Sequence, residues 1–493
     1  MARAGTALSG RDKEPLFADY KSLVGTYDEY FQDQGVPHPW TKIVVRHLEA
    51  LGREEFRGRF RLAHANFLEG GITFSVYSDA KGGERVFPFD PIPRVIDHSE
   101  WAYIDQGLKQ RVEALNLFLG DIYSSQKILK DKVIPSRIVL GSPDYRREMV
   151  GIRPRNGNYI YVAGIDLVRD RLGTYRVLED NLRVPSGVSY VLENRIVMKK
   201  VFPRLFERLR VSPVEDYPNR LRQAVTSSMP GQKANMVVLT PGVFNSAYFE
   251  HSFLARRMGC DLVEGRDLIV DRNRVYSRTT RGLEPVDAIY RRIDDDFLDP
   301  TVFRKDSQLG VPGLIQAYAK GNVILANGIG NGVADDKAVY PFVPDIIRYY
   351  LGEDPILEQV PTFICDRKAD LSHTIENIGS LVVKAVNEAG GYGMLVGPKA
   401  TQRERKEFAK KVVAHPRNYI AQPLVELSAC PTWTPRGPAP RRVDLRPFVL
   451  RGNDTWVLSG GLTRVALVRG SYVVNSSQGG GSKDTWVLER NSR

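Results

Sequence analysis

Two neighbouring stretches of the chain predict a β-hairpin that holds a pair of acidic residues. Residues 159–168 and 174–178 are rich in β-branched and aromatic side chains, and a charged, glycine-containing segment separates them. This is the pattern of two paired strands. If the turn centres on residues 172–173, Asp166 falls directly opposite Glu179. Cross-strand neighbours have Cβ atoms about 4.5–5.5 Å apart, so the hairpin brings the two carboxylates together.

The same face of the predicted hairpin carries further polar residues. Two carboxylates this close repel each other unless a cation or a proton lies between them. Asn181 lies two residues beyond Glu179 and so points to the same face; carboxylate and amide oxygens there suit a Mg²⁺ that also holds substrate phosphates. Arg183, the next residue on that face, is placed to neutralise charge on a phosphoryl group or an acyl oxyanion. The alternative is a solvent-exposed hairpin whose charged residues have no function. This alternative accounts well for any single acid and less well for the four residues together.

The overall charge favours small anionic partners. The 493 residues, enough for two to four domains, carry a net charge of +12 from Lys and Arg dispersed along the chain. Dispersed cations suit nucleotides at least as well as nucleic acid. The sequence has neither zinc-finger spacing nor a basic helix with interleaved aromatics, so we expect no nucleic-acid partner.

The cysteines and the hydropathy of the chain indicate the cellular compartment in which we expect the protein. Cys260, Cys365 and Cys430 are far apart and odd in number, so we expect no disulfides and a reducing, cytoplasmic environment. Residues 1–13 are small and polar with no apolar core, unlike a signal peptide. No run approaches eighteen apolar residues, so we expect no membrane span.

Helical periodicity marks three segments of the N-terminal half. Residues 20–51, 101–129 and 188–209 each place apolar residues at helical spacing, which predicts three helices. Residues 1–14 lack any such pattern and are expected to be disordered.

Strands and helices alternate from residue 234 to about residue 355. This alternation predicts a small α/β domain with a parallel sheet, whose ligands bind at the carboxyl ends of the strands. Arg291, Arg292 and Asp294 follow one such strand and suit recognition of a substrate carboxylate and ammonium, although a structural salt-bridge cluster is an equal alternative. The glycine-rich segment 328–332 lacks the strand–GxGxxG–helix context of a dinucleotide site.

A second polar constellation lies nearer the C-terminus. Lys384 lies in an apolar, strand-like stretch, and Gly390, Gly391 and Gly393 follow it before the next such stretch. A glycine-rich hairpin lets backbone N–H groups close over phosphates, and a strand lysine supplies a fixed cation. The P-loop pattern GxxxxGK[ST] is absent, and a GGxG turn by itself is more often a plain hairpin.

The polar, glycine-rich segment 475–484 joins two apolar stretches near the end of the chain. Its composition is that of a flexible linker or lid. Ser476, Ser477 and Lys483 would give it donors for an anionic substrate on a backbone that can approach closely. Composition alone leaves both interpretations open.

Taken together, these motifs resemble the circularly permuted ATP-grasp proteins, specifically those similar to the ligase domain of glutathionylspermidine synthase. The likeness covers most of the chain from about residue 80 and is carried by VLEDNLRVPSG, VVKAVNEAGGYGM, VDLRPFVL, GGLTRVAL and VNSSQGGGSKDTWVL. In the ordinary ATP-grasp order the lysine strand and glycine loop precede the acidic E-x-N strand. Here Glu179 precedes Lys384 by about two hundred residues, as a circular permutation predicts.

The resemblance implies a fold class and a division into domains. The fold would be α+β, a circularly permuted ATP-grasp fold with an inserted pre-ATP-grasp α/β (Rossmann-like) domain. The implied domains are a disordered N-terminus at 1–14, a helical region with the acidic part of the ATP-grasp at 15–230, the α/β domain at 231–355, and the lysine and glycine-loop subdomain with the hinge and C-terminal strands at 356–493.

The resemblance also implies roles for individual residues. Asp166, Glu179 and Asn181 match the magnesium ligands, although Asp166 lies thirteen residues before Glu179 where about twelve are usual in the family. Arg183 matches a transition-state arginine, and Lys384 matches the lysine that binds nucleotide phosphates. The mobile glycine loop over the phosphates matches Gly390, Gly391 and Gly393. The hinge that contacts adenine matches Gln422, Pro423, Leu424 and Val425. The clamps on the γ-phosphate and the acyl phosphate match Arg446 and Arg464.

The implied activity is an ATP-dependent, ADP-forming carboxylate–amine ligase that works through an acyl phosphate with Mg²⁺. Its partners would be small-molecule or peptide carboxylates and amines, and its oligomeric state stays open. No amidase domain with a Cys/His pair is evident, so glutathione and spermidine specificity is not carried over. A small-molecule kinase and a non-catalytic ATP-binding scaffold are the alternatives.

Overall fold

The computed structural model of the chain describes residues 14–75, 84–229, 234–386, 393–475 and 479–490.

Within these residues the helices and strands are numbered in chain order. The helices are α1 (Lys42–Glu69), α2 (His98–Ile122), α3 (Lys127–Lys130), α4 (Ser136–Leu140), α5 (Val188–Val201), α6 (Pro203–Arg208), α7 (Tyr217–Thr226), α8 (Tyr248–Met258), α9 (Asp295–Leu298), α10 (Leu314–Ala319), α11 (Gly332–Asp335), α12 (Val343–Leu351), α13 (Lys368–Glu376) and α14 (Gln402–Ala414). The strands are β1 (Thr73–Ser75), β2 (Glu84–Val86), β3 (Phe89–Ile96), β4 (Val162–Arg169), β5 (Tyr175–Asn181), β6 (Met236–Leu239), β7 (Asp261–Val263), β8 (Leu268–Asp271), β9 (Arg274–Thr279), β10 (Gly282–Val286), β11 (Ala288–Arg291), β12 (Ile324–Ala326), β13 (Glu358–Gln359), β14 (Phe363–Ile364), β15 (Leu381–Ala385), β16 (Met394–Val396), β17 (Tyr419–Pro423), β18 (Ala429–Thr434), β19 (Gly437–Arg446), β20 (Phe448–Arg451), β21 (Thr455–Val457), β22 (Leu462–Val465) and β23 (Gly481–Val487).

The largest sheet contains the predicted hairpin. Its strands follow the order β13-β5-β4-β19-β22-β23-β3, with β20 and β21 beside β4 and β18 beside β19. The C-terminal strand β23 runs parallel to the early strand β3, so segments almost four hundred residues apart lie side by side in one sheet. Every residue of β4 is buried, and both of its edges are paired, one with β5 and the other with β19 and β20.

The register of the hairpin is the one that the sequence predicts. Asp166 pairs with Glu179, whereas the next residue, Leu167, pairs with Val177. Leu178 is therefore the extra residue of a β-bulge, which leaves two residues opposite one. The bulge accounts for the thirteen-residue spacing between the two acids, since it absorbs one residue without moving either acid from the pair.

The predicted parallel sheet is also present. Its order is β12-β11-β6-β7, and all three pairings are parallel. Helix α8 connects β6 to β7, and α10 precedes β12, as expected for strands that need crossover connections. An antiparallel meander, β8-β9-β10, is inserted between β7 and β11.

The lysine strand belongs to a separate small sheet. Strands β14, β17, β15 and β16 pair antiparallel in that order. Six buried side chains form the core of this subdomain, apart from the larger cores of the protein: Cys365, Leu381, Val383, Leu395, Val412 and Ala421. A subdomain with its own core can move as a unit relative to the rest of the chain.

The predicted N-terminal helix at residues 20–51 is wrong for residues 20–41. Helix α1 begins only at Lys42, and the preceding segment forms turns. There the carboxylate of Asp28 accepts hydrogen bonds from the backbone N–H groups of Tyr30 and Phe31, and the N–H of Glu29 donates to the carbonyl of Ala429. The local hydrogen bonds of Asp28 and the contact with the distant Ala429 therefore override the helical periodicity of this segment.

The other two predicted helices are present but shorter. Helix α2 starts after Asp97, whose side chain caps it by accepting from the N–H of Ser99. The segment 188–209 splits into α5 and α6 at Phe202, because Pro203 lacks an N–H and cannot continue a helix. Among the described residues, no helix is long and apolar enough to span a membrane.

Candidate active site

The two acids of the hairpin have different surroundings. The carboxylate of Asp166 is fully buried and holds two guanidinium groups: Arg446 Nη2 donates to its Oδ2 at 2.8 Å, and Arg464 Nη2 donates to the same oxygen at 2.7 Å. Burial alone would raise the pKa of Asp166, but the two arginines hold that pKa well below its usual value. Asp166 is therefore a stable anion that orders two cations.

Arg464 lies between two buried carboxylates on neighbouring strands. Besides Asp166, it contacts Asp444, whose Oδ1 accepts from Arg464 Nε at 2.9 Å; Asp444 and Arg464 are direct cross-strand partners on β19 and β22. Burial raises the pKa of Asp444, and Arg464 opposes that shift. Arg446 and Arg464 also line the cleft described below. Each guanidinium is therefore held by buried carboxylate on one side and faces the cleft on the other.

Glu179 and Asn181 face the cleft with fewer partners. Glu179 is half-buried, and its Oε2 lies 3.7 Å from Lys337 Nζ. The amide nitrogen of Asn181 is buried and makes no hydrogen bond to the described residues. Rotating that amide would present its oxygen instead, since the two ends are nearly indistinguishable. A carboxylate and an unsatisfied amide in one cleft fit the donor set of a Mg²⁺.

The sequence predicts that Asp166 is a metal ligand. The structure changes this interpretation, because Arg446 and Arg464 already bind its carboxylate oxygens. Among the residues that the structure describes, no group of three or more His, Cys, Asp or Glu side chains is placed to hold a metal ion. The set that fits a metal is therefore Glu179 with Asn181.

Lys384 lies across from these residues on the small sheet. It is half-buried on β15, opposite Ile420 on one side and Met394 on the other. Within the described part of the chain, no hydrogen bond or ion pair to its ammonium is found. Burial lowers the pKa of Lys384 to about 8, against the opposing influence of Glu179. Among the residues that the structure describes, this lysine is therefore a cation without a close anionic partner.

Two cavities meet at Glu179. The larger cleft, of about 310 Å³, is lined by residues 179–186, Asp294, Arg446 and Arg464 among others. The smaller, of about 10 Å³, lies between Lys384 and Gln422. Pockets for ligands of nucleotide size measure about 300–1,000 Å³, so a nucleotide beside Lys384 would require the small sheet to move away from β5.

The predicted hinge is only partly at this cavity. Gln422 is buried at the cavity and donates from Nε2 to Thr362 Oγ1 at 2.9 Å. Pro423 is exposed, and Leu424 and Val425 are half-buried; none of these three lines either cavity.

Arg183 lines the larger cleft and is held by the α/β unit. Its Nε donates to Asp335 Oδ2 at 2.8 Å, and its Nη1 lies 3.4 Å from Asp144 Oδ1. A side chain at Gly332 would place its Cβ 2.8 Å from Arg183 Cδ. The glycine-rich segment 328–332 thus serves close packing onto the hairpin and not a dinucleotide.

Three of the predicted substrate residues are buried and bind groups of the protein instead: Arg291 and Arg292, for which a structural cluster is the stated alternative, and Lys483. Arg291 is buried and donates to the carbonyls of Asn327 and Ile293, and Arg292 is buried and donates to the carbonyl of Pro185. Lys483 is fully buried on β23, with the carbonyls of Ile92 and Pro431 and the carboxylate of Asp90 around its ammonium. These three cations are buried and bound to groups of the protein itself. Asp294, in contrast, lines the cleft.

The predicted glycine-rich loops are described only in part. Gly390, Gly391, Ser476 and Ser477 lie outside the described residues, while Gly393 precedes β16 with a φ of 62°. The segment 475–484 is shorter as a loop than its composition indicates, since β23 begins at Gly481 and is buried throughout. Both the linker and the lid interpretation are therefore wrong for residues 481–484, which belong to a buried strand.

Sequence reasoning missed two features of the site. From the sequence alone, Arg111 on α2 is interpreted as a solvent-exposed residue, but it is buried. It forms a two-pronged ion pair with Asp180, with Nε–Oδ1 and Nη2–Oδ2 distances of 2.7 Å. Because side chains alternate along a strand, this pair fixes Asp180 on one face and presents Glu179 and Asn181 on the other. The second missed residue is Lys337, which lies in an ordinary charged run with no motif.

Two asparagines attach the parallel sheet to the hairpin. Asn327 Oδ1 accepts from the N–H groups of Tyr161 and Val162 at 2.7 and 2.8 Å. Asn331 Nδ2 donates to the carbonyl of Leu182 at 2.6 Å. The α/β unit therefore forms one wall of the cleft.

A lysine-bearing antiparallel sheet that faces an acidic strand across a cleft defines an ATP-grasp protein, and here the acidic strand comes first in the chain. The model of the family described as circularly permuted ATP-grasp type 2 matches residues 93–466. The chain belongs to this family.

Relatives span the chain almost completely. An uncharacterized protein of Synechocystis sp. is 52% identical over 466 residues, covering 94% of this chain and 97% of the relative. A protein of Frankia casuarinae named putative glutamate–cysteine ligase 2-2 is 41% identical over 468 residues, covering 94% of this chain but 54% of the relative. A glutathione synthetase-like effector from Globodera pallida, solved in apo form, has a TM-score of 0.55 at 10% identity and covers 88% of this chain and 97% of the effector; this likeness concerns the fold.

Proposed function

We propose that the protein is an ATP-dependent, ADP-forming ligase that joins a carboxylate to an amine through an acyl phosphate. The observation that carries the proposal is the placement of Lys384 and the pair Arg446 and Arg464 around one acidic strand. Lys384 borders the cavity that also contains the predicted hinge residue Gln422, and the arginines border the adjoining cleft. A nucleotide would lie on one side of Glu179 and a carboxylate substrate on the other.

Each group would then have a defined task. Lys384 would bind the nucleotide phosphates, and Arg446 and Arg464 would bind the substrate carboxylate and the acyl phosphate made from it. Mg²⁺, held by Glu179 and Asn181, would spread the charge of the phosphates when bound. Phosphoryl transfer gives the carboxylate a leaving group, and the amine then displaces phosphate.

The surroundings of the cleft support amino-acid-like substrates. Asp294 and Asp144 line the same cleft as the arginines, so an ammonium and a carboxylate both find a group of opposite charge. The name of the Frankia relative agrees with this substrate class, although the chain spans about half of that relative. The cysteines are free, which agrees with a reducing compartment, and we propose a cytoplasmic location.

An untargeted reaction tests the proposal. The protein is incubated with ATP, Mg²⁺ and a pooled metabolite extract, and products are searched by mass for the sum of two components minus water. The ligase predicts ADP and phosphate only when both co-substrates are present. A phosphorylated metabolite without an amide would indicate a kinase, and nucleotide binding without turnover would indicate a scaffold.

Lys384 gives a prediction on pH. Its pKa of about 8 means that the side chain loses its proton above this pH in the nucleotide-free protein. The lysine must then take up a proton when it binds a phosphate. ATP affinity should therefore fall as the pH rises beyond about 8, by up to about tenfold per pH unit. Lys384→Arg should remove this pH dependence, because arginine stays charged. Titration calorimetry between pH 7 and 10 measures both.

Lys384→Ala is the companion variant. It should weaken ATP much more than adenosine, because an ammonium acts on the phosphates and not on the base. Equal loss for both ligands, or an unchanged pH dependence of ATP binding in this variant, would contradict the assignment.

A further inference from the structure

The larger cleft carries more acidic side chains than a metal site needs. Among the described residues, six acids line it: Asp144, Glu179, Asp180, Asp294, Asp335 and Asp336. Asp180 and Asp335 each accept hydrogen bonds from an arginine, and Asp336 accepts from a serine and an arginine. Glu179 belongs to the set that fits a metal. Two acids remain without a structural task.

The two remaining acids, Asp144 and Asp294, differ in burial. Asp294 is exposed, so water competes for any contact that it makes. The side chain of Asp144 is only 17% exposed, and its Oδ1 lies 3.4 Å from Arg183 Nη1. No hydrogen bond to its other oxygen, Oδ2, is found among the described residues. Asp144 is therefore a largely buried carboxylate with one oxygen available to the cleft.

The surroundings of Asp144 favour the uptake of a proton. Burial raises the pKa of this acid above its usual value. Arg183 and Arg146 oppose the shift, whereas the neighbouring carboxylates of Asp335 and Asp336 add to it. A general base works best when its pKa approaches the working pH. The environment of Asp144 therefore suits proton transfer better than that of a solvent-exposed acid.

The position of Asp144 is fixed beside the groups that would carry the reaction. Its N–H donates to Ser142 Oγ at 3.3 Å. A side chain at Gly332 would place its Cβ 2.9 Å from Asp144 Cβ, so the acid packs tightly against α11. Arg183, which Asp144 contacts, lines the same cleft as both clamp arginines. Asp144 thus borders the space in which the acyl phosphate would form.

We propose that Asp144 is the general base that accepts a proton from the attacking amine. This inference rests on the proposed ligase function. An amine reaches the cleft as an ammonium, which cannot attack until it loses a proton, and Asp144 takes that proton. The bond between the nitrogen and the acyl carbon then forms, the bond between that carbon and the phosphate oxygen breaks, and phosphate leaves with the electron pair. The departing phosphate takes the second proton from the nitrogen, which leaves a neutral amide.

Hydroxylamine distinguishes this role, because it is uncharged at neutral pH and needs no base before it attacks. The wild-type chain and Asp144→Asn are incubated with ATP, Mg²⁺ and the pooled metabolite extract, with and without hydroxylamine. Asp144→Asn should form the amide at least about 100-fold more slowly, since a general base contributes at least this much. Its rate of hydroxamate formation should stay close to that of the wild-type chain.

Asp345→Asn is the matched control. Asp345 is exposed on α12 and pairs with Arg348, so its replacement removes the same charge outside the cleft. This variant should form both products at the wild-type rate.

The outcomes separate this inference from the proposed function. If the wild-type chain forms no amide, the proposed function fails. If the wild-type chain forms the amide and Asp144→Asn loses amide and hydroxamate equally, or loses neither, the role of Asp144 as a base is overturned while the function stands. The thermal unfolding midpoint shows whether the variant is folded, and Asp144→Ser supplies the same comparison if Asp144→Asn unfolds.

Discussion

Glu179→Gln should reduce ATP-dependent turnover at least about 100-fold, because even the partners of metal ligands cost up to about 100-fold when replaced. The change removes one negative charge from a half-buried side chain in the cleft and keeps its size. Its partner in the described structure is Lys337 at 3.7 Å, and ion pairs at this exposure contribute about 1 kcal/mol or less. Turnover at limiting Mg²⁺ measures the loss of activity, and the free energy of unfolding in urea measures the smaller loss of stability from the ion pair.

The neighbouring strand offers a matched control for this variant. Glu358 on β13 is exposed and pairs with Arg176 of β5, so Glu358→Gln removes the same charge beside the same strand but outside the cleft. It should leave turnover unchanged. Full activity of Glu179→Gln at limiting Mg²⁺ would rule out the metal assignment.

Arg464→Met should lower the free energy of unfolding by about 3–5 kcal/mol, the usual cost of removing one partner from a buried ion pair. Arg464 separates the carboxylates of Asp166 and Asp444, both fully or almost fully buried. After the substitution Asp166 keeps Arg446, whereas Asp444 loses the cation that contacts it. Urea denaturation at neutral pH measures the loss.

Two further measurements identify the cause of this loss. The pKa of Asp444 is already raised by burial and should rise further without Arg464, so the deficit should shrink as the pH falls through that pKa and the acid becomes neutral. Asp444→Asn in the same chain should restore part of the stability, because no unpaired charge then remains. Arg403→Met, which breaks an exposed helix pair with Glu407, should cost less than about 1 kcal/mol. A deficit of that small size for Arg464→Met would show that the buried cluster does not stabilise the sheet.

The hairpin and the α/β unit could be predicted because their signals are local. The pairing of Asp166 with Glu179 depends on two adjacent strands and a short turn, and only the bulge at Leu178 could not be foreseen. The parallel sheet follows from alternating strands and helices, each recognisable by its own period. The permuted ATP-grasp family follows from the order of the motifs around Glu179 and Lys384.

Partners far apart in the chain could not be predicted in this way. Asp166 has the composition of a metal ligand, yet its oxygens are held by Arg446 and Arg464, 280 and 298 residues away. Lys483 reads as a loop donor, yet it is enclosed on β23. Each of these side chains has several chemically suitable partners in the sequence, and nothing local selects among them.

The sequence by itself determined the strand that carries the acids, the strand that carries Lys384 and their permuted order. Only the tertiary structure decided which charges face the cleft and which neutralise one another, as with Arg464 between Asp166 and Asp444 and Arg111 behind Asp180. The physical reason is that strand and helix periodicity depends on neighbours within a few residues, whereas the state of a charge depends on whatever the fold brings within a few ångströms of it.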